Sequence, residues 1–482
     1  MSKYRIIVSI AILCLYLVCY SNQSATQANT PIVEAEIVSF ADSNLEAEVR
    51  KALEISVSEP LTKALLLRVN RLVINNNKDK LVKNLNGIEN LKNLDYLRLY
   101  NAYAILDLKP ISTLTNLEEF YLKSSRTNQI EDIELYVEVL KDLPSLRILY
   151  LEGHRIQDIS SISKLSQLKE LRLDRNYLTN IEPLSKLTSL EKLTLRHNKI
   201  NNIQPLSKLK NLRSLYISRN TIENIKPLSK LNNLKYLDIS KNYVKDIAPV
   251  ALLNNLKSLN ANSNFIFDIS HIKNLRNLES LELEYNNIKD IETLKFLINL
   301  NTIDISANHV DNINYLSQLK KLKTLDIHSN RISEISALSL LTNLKRIDLS
   351  HNSIEDISSL KNIVKLQDLD LKDNNIDDLS ALSKLSNIKY LDLTHNKIED
   401  LTVISKITNL RSLDIAYNSV ADLSPLSSLK RLSILRANHN LIKDVEPLRN
   451  MPELKDVDIV DNPLNNPSVI DRNYELRFIK QK

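Results

Sequence analysis

Apolar residues recur along this chain with a fixed period of 22 residues. Each period carries the frame L-x-x-L-x-L-x-x-N, as in the segment from Leu190 to Asn198, and four further apolar residues follow the asparagine. Leucine alternating with polar residues predicts a short strand whose leucines face inward and whose intervening residues face solvent. The asparagine of the frame occurs fourteen times in succession at a constant interval of 22 residues, at Asn176, Asn198, Asn220, Asn242, Asn264, Asn286, Asn308, Asn330, Asn352, Asn374, Asn396, Asn418, Asn440 and Asn462.

The asparagine has a predicted structural role at the end of each strand. Its short amide can satisfy backbone groups that the turn leaves inside the molecule, where an apolar residue would leave them unpaired. The return stretch after it is packed by isoleucine and leucine and is often opened by proline. Proline removes no ladder hydrogen bond there, because that side of the coil is not a strand. These prolines are Pro183, Pro205, Pro227, Pro249, Pro425 and Pro447.

A period of roughly 20–29 residues with this frame indicates a leucine-rich repeat solenoid. Strands stacked about 4.8 Å apart would form a continuous parallel sheet. The predicted fold class is therefore an α/β solenoid. It is a leucine-rich repeat horseshoe with a parallel β-sheet on the concave side, short helices or 3-10 turns on the convex side, and a helical N-terminal cap. Because stacked coils share one core, a length of 482 residues requires no division into several globular domains.

The chain outside the repeats predicts an exported protein whose solenoid is capped at both ends. Lys3 and Arg5 precede an apolar run from Ile6 to Val18, which is typical of a signal peptide and shorter than the ~20 residues of a spanning helix. The predicted segments are a signal peptide at 1–28, a linker at 29–40, a helical N-terminal cap at 41–68, a solenoid of about 18 coils at 69–462 and a C-terminal cap at 463–482.

Two alternatives to ordinary signal cleavage stay open at the N-terminus. The apolar run could persist as a membrane anchor, or Cys19 could be lipidated, although Tyr16-Leu-Val-Cys19 has no small residue just before the cysteine. Cys14 and Cys19 are the only cysteines, so the repeats can form neither a disulfide nor a cysteine metal site. A single N-x-S/T acceptor, Asn22-Gln-Ser24, favours bacterial export. We therefore expect a secreted or cell-surface protein.

Three helices are predicted outside the strands. Ser43 is placed as an N-cap with Glu46 as its capping-box partner. A second short helix is predicted with Pro60 in its first turn. One coil is seven residues longer than the rest, and apolar residues at helical spacing within Thr127–Leu143 predict a longer convex-side helix there.

The outward strand positions of the concave face form the candidate binding surface, and their middle column divides into two halves. The first half is aromatic and basic and departs from the repeat consensus. Tyrosine and arginine provide contact area and directional hydrogen bonds, and both are enriched in binding hot spots. The candidate ligand-binding residues are Tyr96, Arg98, Tyr100, Tyr121, Tyr150, Arg172, Arg196 and Tyr216. Compositional drift in a chain with 18 tyrosines is the alternative explanation.

The second half of the middle column is acidic. Its carboxylates are Asp238, Glu282, Asp304, Asp326, Asp348, Asp370, Asp392 and Asp414. Leu-Asp-Leu/Ile-Ser is a common form of this repeat, so the consensus explains most of them, and steering of a basic partner is the functional alternative. We expect their repulsion to be tolerable because the face is wet. One flat column cannot supply the roughly six converging oxygens that calcium needs, so no calcium ladder is expected.

No enzyme site is predicted. The sequence has no serine–histidine–acid constellation, glycine-rich phosphate loop or metal motif, and Gly87 and Gly153 are its only glycines. Four histidines that precede the repeat asparagine are interpreted as solvated rim residues separated by whole coils, not as metal ligands. They are His197, His351, His395 and His439. We expect neither a cofactor nor a metal.

Charge and the terminal segments limit the kinds of partner. The net charge is +6, of which two units come from the predicted leader, so there is no electrostatic case for nucleic acid. We expect a monomer without a membrane span after signal cleavage, and a protein as its ligand.

The chain resembles the bacterial internalin family, within the 22-residue class of leucine-rich repeats. The resemblance is carried by Phe40-Ala-Asp-Ser-Asn-Leu45, by Pro60-Leu-Thr62 and by repeat units such as Asn198 to Leu212, and it covers residues 41 to about 465. It implies an exported adhesin or effector that binds a host or neighbouring-cell protein on its concave face. Many internalins continue into an immunoglobulin-like domain and a wall anchor. Because this chain stops soon after its last coil, the resemblance implies a freely secreted or N-terminally tethered form.

Two other functions stay open. The repeats also resemble intracellular phosphatase regulators built from 22-residue repeats, whose chains end in a segment similar to Asn462-Pro463-Leu464. Such a scaffold would dock on an enzyme inside the cell, and the predicted signal peptide argues against it. A purely structural envelope component, with no saturable ligand, is the third hypothesis.

Overall fold

The structure is a computed structural model that describes residues 36–77, 80–101, 105, 107–123 and 133–465. The predicted signal peptide, both cysteines and the predicted C-terminal cap beyond residue 465 lie outside these residues. None of the helices in the described ranges is long and apolar enough to cross a membrane.

Eighteen short strands form one parallel sheet across the described coils. They are β1 (Arg71–Asn75), β2 (Tyr96–Tyr100), β3 (Glu119–Lys123), β4 (Ile148–Glu152), β5 (Glu170–Arg172), β6 (Lys192–Thr194), β7 (Ser214–Tyr216), β8 (Tyr236–Asp238), β9 (Ser258–Asn260), β10 (Ser280–Glu282), β11 (Thr302–Asp304), β12 (Thr324–Asp326), β13 (Arg346–Asp348), β14 (Asp368–Asp370), β15 (Tyr390–Asp392), β16 (Ser412–Asp414), β17 (Ile434–Arg436) and β18 (Asp456–Asp458). Each pairs with the strand of the next coil in the register of the repeat, so that Leu193 lies between Leu171 and Leu215. The predicted leucine-rich repeat solenoid is confirmed.

The return stretch between neighbouring described strands folds as a short 3-10 helix, except between β3 and β4, where it holds an α-helix. Pro183 and Pro205 stand at the start of two of these helices, as predicted, where a fixed φ is suitable and no N–H is required. The inward leucines and isoleucines, such as Leu193 and Ile200, are fully buried in one continuous core. The 3-10 helices span Ile88–Asn90, Lys109–Thr113, Ser160–Lys164, Glu182–Lys186, Gln204–Lys208, Lys226–Lys230, Ala248–Leu252, Ser270–Asn274, Glu292–Phe296, Asn314–Gln318, Ser336–Leu340, Ser358–Asn362, Ser380–Lys384, Thr402–Lys406, Ser424–Ser428 and Glu446–Leu448.

The repeat asparagine joins neighbouring coils as well as closing its own turn. The Nδ2 group of Asn198 donates to the carbonyl oxygens of Leu195 (3.0 Å) and Arg196 (3.3 Å) in its own coil, and of Leu173 (3.0 Å) in the preceding coil. Its Oδ1 accepts from the backbone N–H of Leu178 at 3.0 Å. The same pattern recurs through Asn462. The predicted role of the asparagine is confirmed and extends to the preceding coil.

The residue before each of these asparagines adopts a left-handed backbone conformation, with φ between 50° and 59°. None of the fourteen is glycine, although this conformation costs a side-chain-bearing residue about 1 kcal/mol. Thirteen of them, all except Asp461 in the last described coil, donate a hydrogen bond to the next coil, as when the His197 N–H donates to the Ser218 carbonyl at 2.9 Å. The positions are Arg175, His197, Arg219, Lys241, Ser263, Tyr285, Ala307, Ser329, His351, Asp373, His395, Tyr417, His439 and Asp461. No glycine marks this turn, so the sequence gives no signal for it.

Within the described ranges three α-helices accompany the sheet: α1 (Ser43–Leu53), α2 (Lys63–Leu66) and α3 (Glu134–Leu140). Helix α3 lies inside the segment predicted to hold a longer convex-side helix, and the part of that segment before residue 133 is outside the described chain. Pro60 precedes α2 instead of lying in its first turn. Thr62 is the N-cap there, and its side chain accepts a backbone hydrogen bond at 3.2 Å.

Asp42, and not Ser43 as predicted, caps helix α1. One carboxylate oxygen accepts from the Asn44 N–H at 2.9 Å, and the other accepts from the Lys83 N–H at 2.7 Å, which belongs to the first coil. A carboxylate can bridge two segments in this way and a serine hydroxyl cannot. Glu46 consequently forms no capping box, and it pairs with Arg50 at 2.8 Å.

Residues 36–40 pack against the N-terminal helices, although the sequence assigns them to a linker. Ile37 forms an antiparallel bridge with Thr62, and the Phe40 side chain is only 8% exposed. Phe40 lies against Gly87, whose φ is +107° and where a Cβ atom would come within 2.6 Å of the ring. Glycine is needed at this point both for its backbone conformation and for the close approach.

Candidate functional site

The concave sheet displays its outward residues in straight columns. In the middle column the cross-strand partners are, in order, Arg98, Tyr121, Tyr150, Arg172, Thr194 and Tyr216. Alternation with the buried leucines fixes their outward direction, because successive strand residues face opposite sides. The structure thus brings the predicted aromatic and basic candidates together on one surface.

The tyrosines of this surface are in mutual contact. The Tyr121 ring centroid lies 5.0 Å from that of Tyr96 and 4.3 Å from that of Tyr150, the second pair edge to face. The Tyr121 hydroxyl donates to Glu119 at 2.6 Å, and the Tyr150 hydroxyl donates to Glu170. Burial is the main cause that raises the pKa of both phenols above the ordinary value, and the hydrogen bonds to the carboxylates are the second cause. Both tyrosines are therefore neutral and held in place.

Each predicted arginine lies over a tyrosine ring. The guanidinium carbon is 4.4 Å from the ring centroid for Arg172 over Tyr150 and 4.5 Å for Arg196 over Tyr216. Arg98 lies 4.4 Å from the Tyr100 centroid. Stacking of this kind attracts the cation to the π-face and orients the planar donor group. The surface is therefore arranged before any ligand arrives.

The structure changes the roles of two residues. Tyr96 is predicted to contact a ligand, but it is only 7% exposed, because it packs between Tyr121 and Arg71. It supports the surface from beneath. Arg71, which sequence reasoning missed, lies 3.9 Å from the Tyr96 centroid. It stands on β1, ahead of the regular 22-residue repeats, and only the strand register reveals it as an outward residue.

Several cations of this half are already paired with carboxylates. Arg196 contacts Asp238 at 3.3 Å, Arg172 lies 3.8 Å from Asp174, and Lys192 contacts Glu170 at 2.8 Å. Arg98 forms no ion pair within the described chain. The pairs hold the side chains in fixed positions, and Arg98 is the one candidate arginine without an ion pair among the described residues.

The aspartates of the acidic half have a local structural role. The Asp238 carboxylate accepts from the N–H and the hydroxyl of Ser240, at 3.1 and 2.7 Å, and Asp304 does the same with Ser306. Asp326, Asp348, Asp370, Asp392 and Asp414 also accept from the N–H two residues later. This hydrogen bond closes the end of the strand. It favours the consensus explanation for the column.

Like charges in this column are not fully screened by water. Burial is the main cause that raises the pKa of Asp370 to about 7, and the charges of Asp348 and Asp392 add to it. Burial also raises the pKa of Glu282, Asp326 and Asp392. The expectation of a wet, high-dielectric face is therefore wrong at the centre of the column, where the aspartates are half-buried.

One group in the described residues has ligand atoms close enough for a metal ion. It consists of Asp326, His328 and Asp348, with atoms within 4.8 Å of one another. The His328 Nδ1 atom lies 2.7 Å from the Asp326 carboxylate, and this hydrogen bond accounts for their proximity. The group gives no reason to assign a metal.

The histidines of the rim contact side chains of neighbouring coils, although their spacing in the sequence suggests that they are isolated from one another. His395 and His439 stack on the two faces of Tyr417 with centroid distances of 4.1 Å. Asp373 lies 2.9 Å from His351 and 3.9 Å from His395. Residues 22 apart are neighbours across the coils, so regular spacing in sequence produces a continuous ladder in space.

Comparisons with known proteins agree with this architecture. The family described as leucine-rich repeats in two copies matches residues 188–230, 210–254, 320–362, 364–406 and 408–450, and two further leucine-rich repeat families match 144–200 and 274–291. A search of curated protein sequences gave no match. The chain is a leucine-rich repeat protein.

Solved structures with the same fold come from bacteria and plants. An internalin, inlF, from Listeria monocytogenes is 29% identical with a TM-score of 0.55, covering 78% of this chain and 96% of its own. A leucine-rich repeat protein of Leptospira interrogans is 23% identical with a TM-score of 0.67, covering 83% and 100%. The Arabidopsis receptor kinase HAESA, in complex with the peptide hormone IDA and a co-receptor, is 20% identical with a TM-score of 0.65, covering 82% and 71%. The last two likenesses concern the fold alone.

Proposed function

We propose that this protein is an exported, internalin-like binding protein that recognises a protein ligand on the aromatic and basic half of its concave face. The observation that carries the proposal is the stacked Tyr/Arg surface built from Tyr121, Tyr150, Arg172 and Tyr216. These residues depart from the repeat consensus, whereas the aspartates of the other half serve a strand-end hydrogen bond.

The surface suits recognition because its side chains are already held in fixed conformations in the free protein. Immobilising a long side chain on binding costs about 0.5–1.5 kcal/mol, and stacking plus ion pairs have already restricted these side chains. The acidic half would attract the basic part of a partner from a distance and fix its orientation. The aromatic half would then provide most of the affinity, and the acidic half would increase the rate at which the partner associates.

One comparison and one sequence feature support a role outside the producing cell. The likeness to an internalin extends over most of both chains at 29% identity. The basic and apolar segment at the N-terminus has the composition of an export signal. Adhesion to a host or neighbouring cell is the corresponding role, with the protein secreted or held at the surface.

The test is saturable binding of the labelled, purified protein to candidate host and bacterial cells. A variant with Tyr121, Tyr150, Arg172 and Tyr216 all changed to alanine should lose binding by at least about tenfold, because hot-spot residues typically contribute 1–2 kcal/mol or more each. A matched control changes three exposed tyrosines outside the concave face, Tyr177, Tyr243 and Tyr285, to alanine. Equal binding by the two variants would refute the assigned surface, and absence of saturable binding to any cell would refute the function.

Location in the producing cell gives an independent check. Fractionation with sequencing of the mature N-terminus should find the protein outside the cytoplasm and shortened near residue 28. An uncleaved cytosolic protein would instead favour the enzyme-docking scaffold.

A further inference from the structure

Arg98 differs from Arg172 and Arg196, the other candidate arginines, because it forms no ion pair within the described residues. It lies on β2 between two aromatic rings, with its guanidinium carbon 4.4 Å from the Tyr100 centroid and 5.3 Å from the Tyr121 centroid. Its Nη1 group donates a long hydrogen bond of 3.4 Å to the Tyr96 hydroxyl. Its Nε atom is buried and has no hydrogen-bond partner within the described residues.

No described carboxylate forms an ion pair with this cation. Glu119, on the adjacent strand, accepts from the Tyr121 hydroxyl at 2.6 Å and forms no ion pair with Arg98. Arg172 and Arg196, by contrast, each have an aspartate within 4 Å. A half-buried guanidinium without a counter-charge is unfavourable, because the site has lost part of its hydration and gained no ion pair in exchange.

A second cation stands beside this one. Arg71 on β1 covers the outer side of the Tyr96 ring at 3.9 Å and also forms no ion pair within the described chain. Val73, the register partner of Arg98, is apolar. The start of the concave face therefore offers two guanidinium groups that lie over tyrosine rings and form no ion pair within the described residues.

From this geometry we infer that Arg98, assisted by Arg71, is an anion-binding subsite that receives an acidic side chain, aspartate or glutamate, of the protein ligand. The inference rests on the proposed function and specifies the partner. A carboxylate matches the planar donor edge of arginine and would form charge-assisted hydrogen bonds there. Because the other end of the face is acidic, the ligand should present an acidic segment to β1–β3 and a basic segment to β8–β16.

The probe for this subsite is a capped hexaglutamate peptide, compared with capped hexaglutamine and hexalysine, titrated into the purified protein by calorimetry at low salt. Hexaglutamate should bind in a salt-sensitive manner, and Arg98→Gln should weaken it by about three- to tenfold. Arg98→Lys keeps the charge but loses the planar edge, and should be intermediate. Hexalysine should bind both proteins equally.

The matched control is Arg346→Gln. Arg346 is also an outward arginine of the sheet, on β13, and its guanidinium donates to the Thr324 hydroxyl at 3.1 Å. Hexaglutamate binding that is no stronger than hexaglutamine binding, or that falls equally in the Arg346 and Arg98 variants, would overturn the inference. Matched hydrogen-exchange profiles of Arg98→Gln and the parent protein would show that the fold is intact.

The cell-binding assay separates this inference from the proposed function. Arg98→Gln should reduce cell binding by a similar factor. If the four-alanine variant loses cell binding and Arg98→Gln does not, the acidic-ligand inference fails while the proposed function stands. If hexaglutamate binds at Arg98 but no cell binds saturably, the subsite stands and the proposed function fails.

Discussion

The repeat asparagine provides a quantitative test of how neighbouring coils are joined, and Asn308 is the clearest case. It is 5% exposed, and its Nδ2 group donates to the carbonyl oxygens of Leu283 (2.9 Å), Ile305 (3.1 Å) and Ser306 (2.9 Å). Its Oδ1 accepts from the Ile288 N–H at 2.9 Å. The change Asn308→Ala removes all four hydrogen bonds at once.

The four losses are not equivalent. Each of the three carbonyl oxygens keeps a second donor: Asn286 for Leu283, Asn330 for Ile305, and the Tyr285 N–H for Ser306. The Ile288 N–H has no other acceptor among the described residues. An orphaned buried donor costs about 1–3 kcal/mol, and the weakened carbonyl network adds about 1 kcal/mol, so we expect a total of about 2–4 kcal/mol.

The assay is hydrogen exchange measured by mass spectrometry over residues 283–310, because a long repeat array need not unfold in a single two-state step. Exchange in this region should accelerate and that of remote coils should not. Asn287→Ala, next to a repeat asparagine but with an exposed side chain, is the matched control and should change nothing. Unchanged protection of the Ile288 amide in Asn308→Ala would refute this account of the coil junction.

Asn308→Asp separates the acceptor from the donors. The aspartate keeps an oxygen for the Ile288 N–H but directs negative charge at three carbonyl oxygens. We expect it to be at least as destabilising as alanine at pH 7, and to recover partly below about pH 4 when the carboxyl is protonated. Stability equal to the parent protein at pH 7 would show that the donor side contributes nothing.

Three further predictions concern backbone conformation and charge. Ala307→Gly, at φ 51°, should raise the free energy of local opening by about 0.5–1 kcal/mol, whereas Ala381→Gly in a 3-10 helix should lower it, as measured by hydrogen exchange in the same coils. Gly87→Ala should loosen the N-terminal cap by about 2–4 kcal/mol, seen as faster hydrogen exchange in α1, because its Cβ would clash with the Phe40 ring. The pKa of Asp370 is raised to about 7, so its stabilising contribution is complete below about pH 4 and is lost as the pH rises through 7. Asp370→Asn should therefore raise the melting temperature at pH 8 and not at pH 4, and an equal effect at both would contradict the shift.

Much of the molecule follows from local sequence. The 22-residue period determines which leucines enter the core and which residues face outward, because strand alternation and one repeated turn are decided within each coil. The role of the asparagine could be predicted for the same reason. The caps were harder, since Asp42 and Ser43 are both good N-caps, and the choice depended on Lys83 in a distant segment.

The candidate site depends on both the local sequence and the tertiary structure. The sequence by itself determined the fold and placed Tyr121, Tyr150 and Arg172 in one column. Only the tertiary structure decided that Tyr96 is buried, that Arg98 forms no ion pair with a described carboxylate and that Asp370 is half-buried. These properties depend on how side chains of neighbouring coils, about 4.8 Å apart, pack against one another and form ion pairs. No single repeat contains that information.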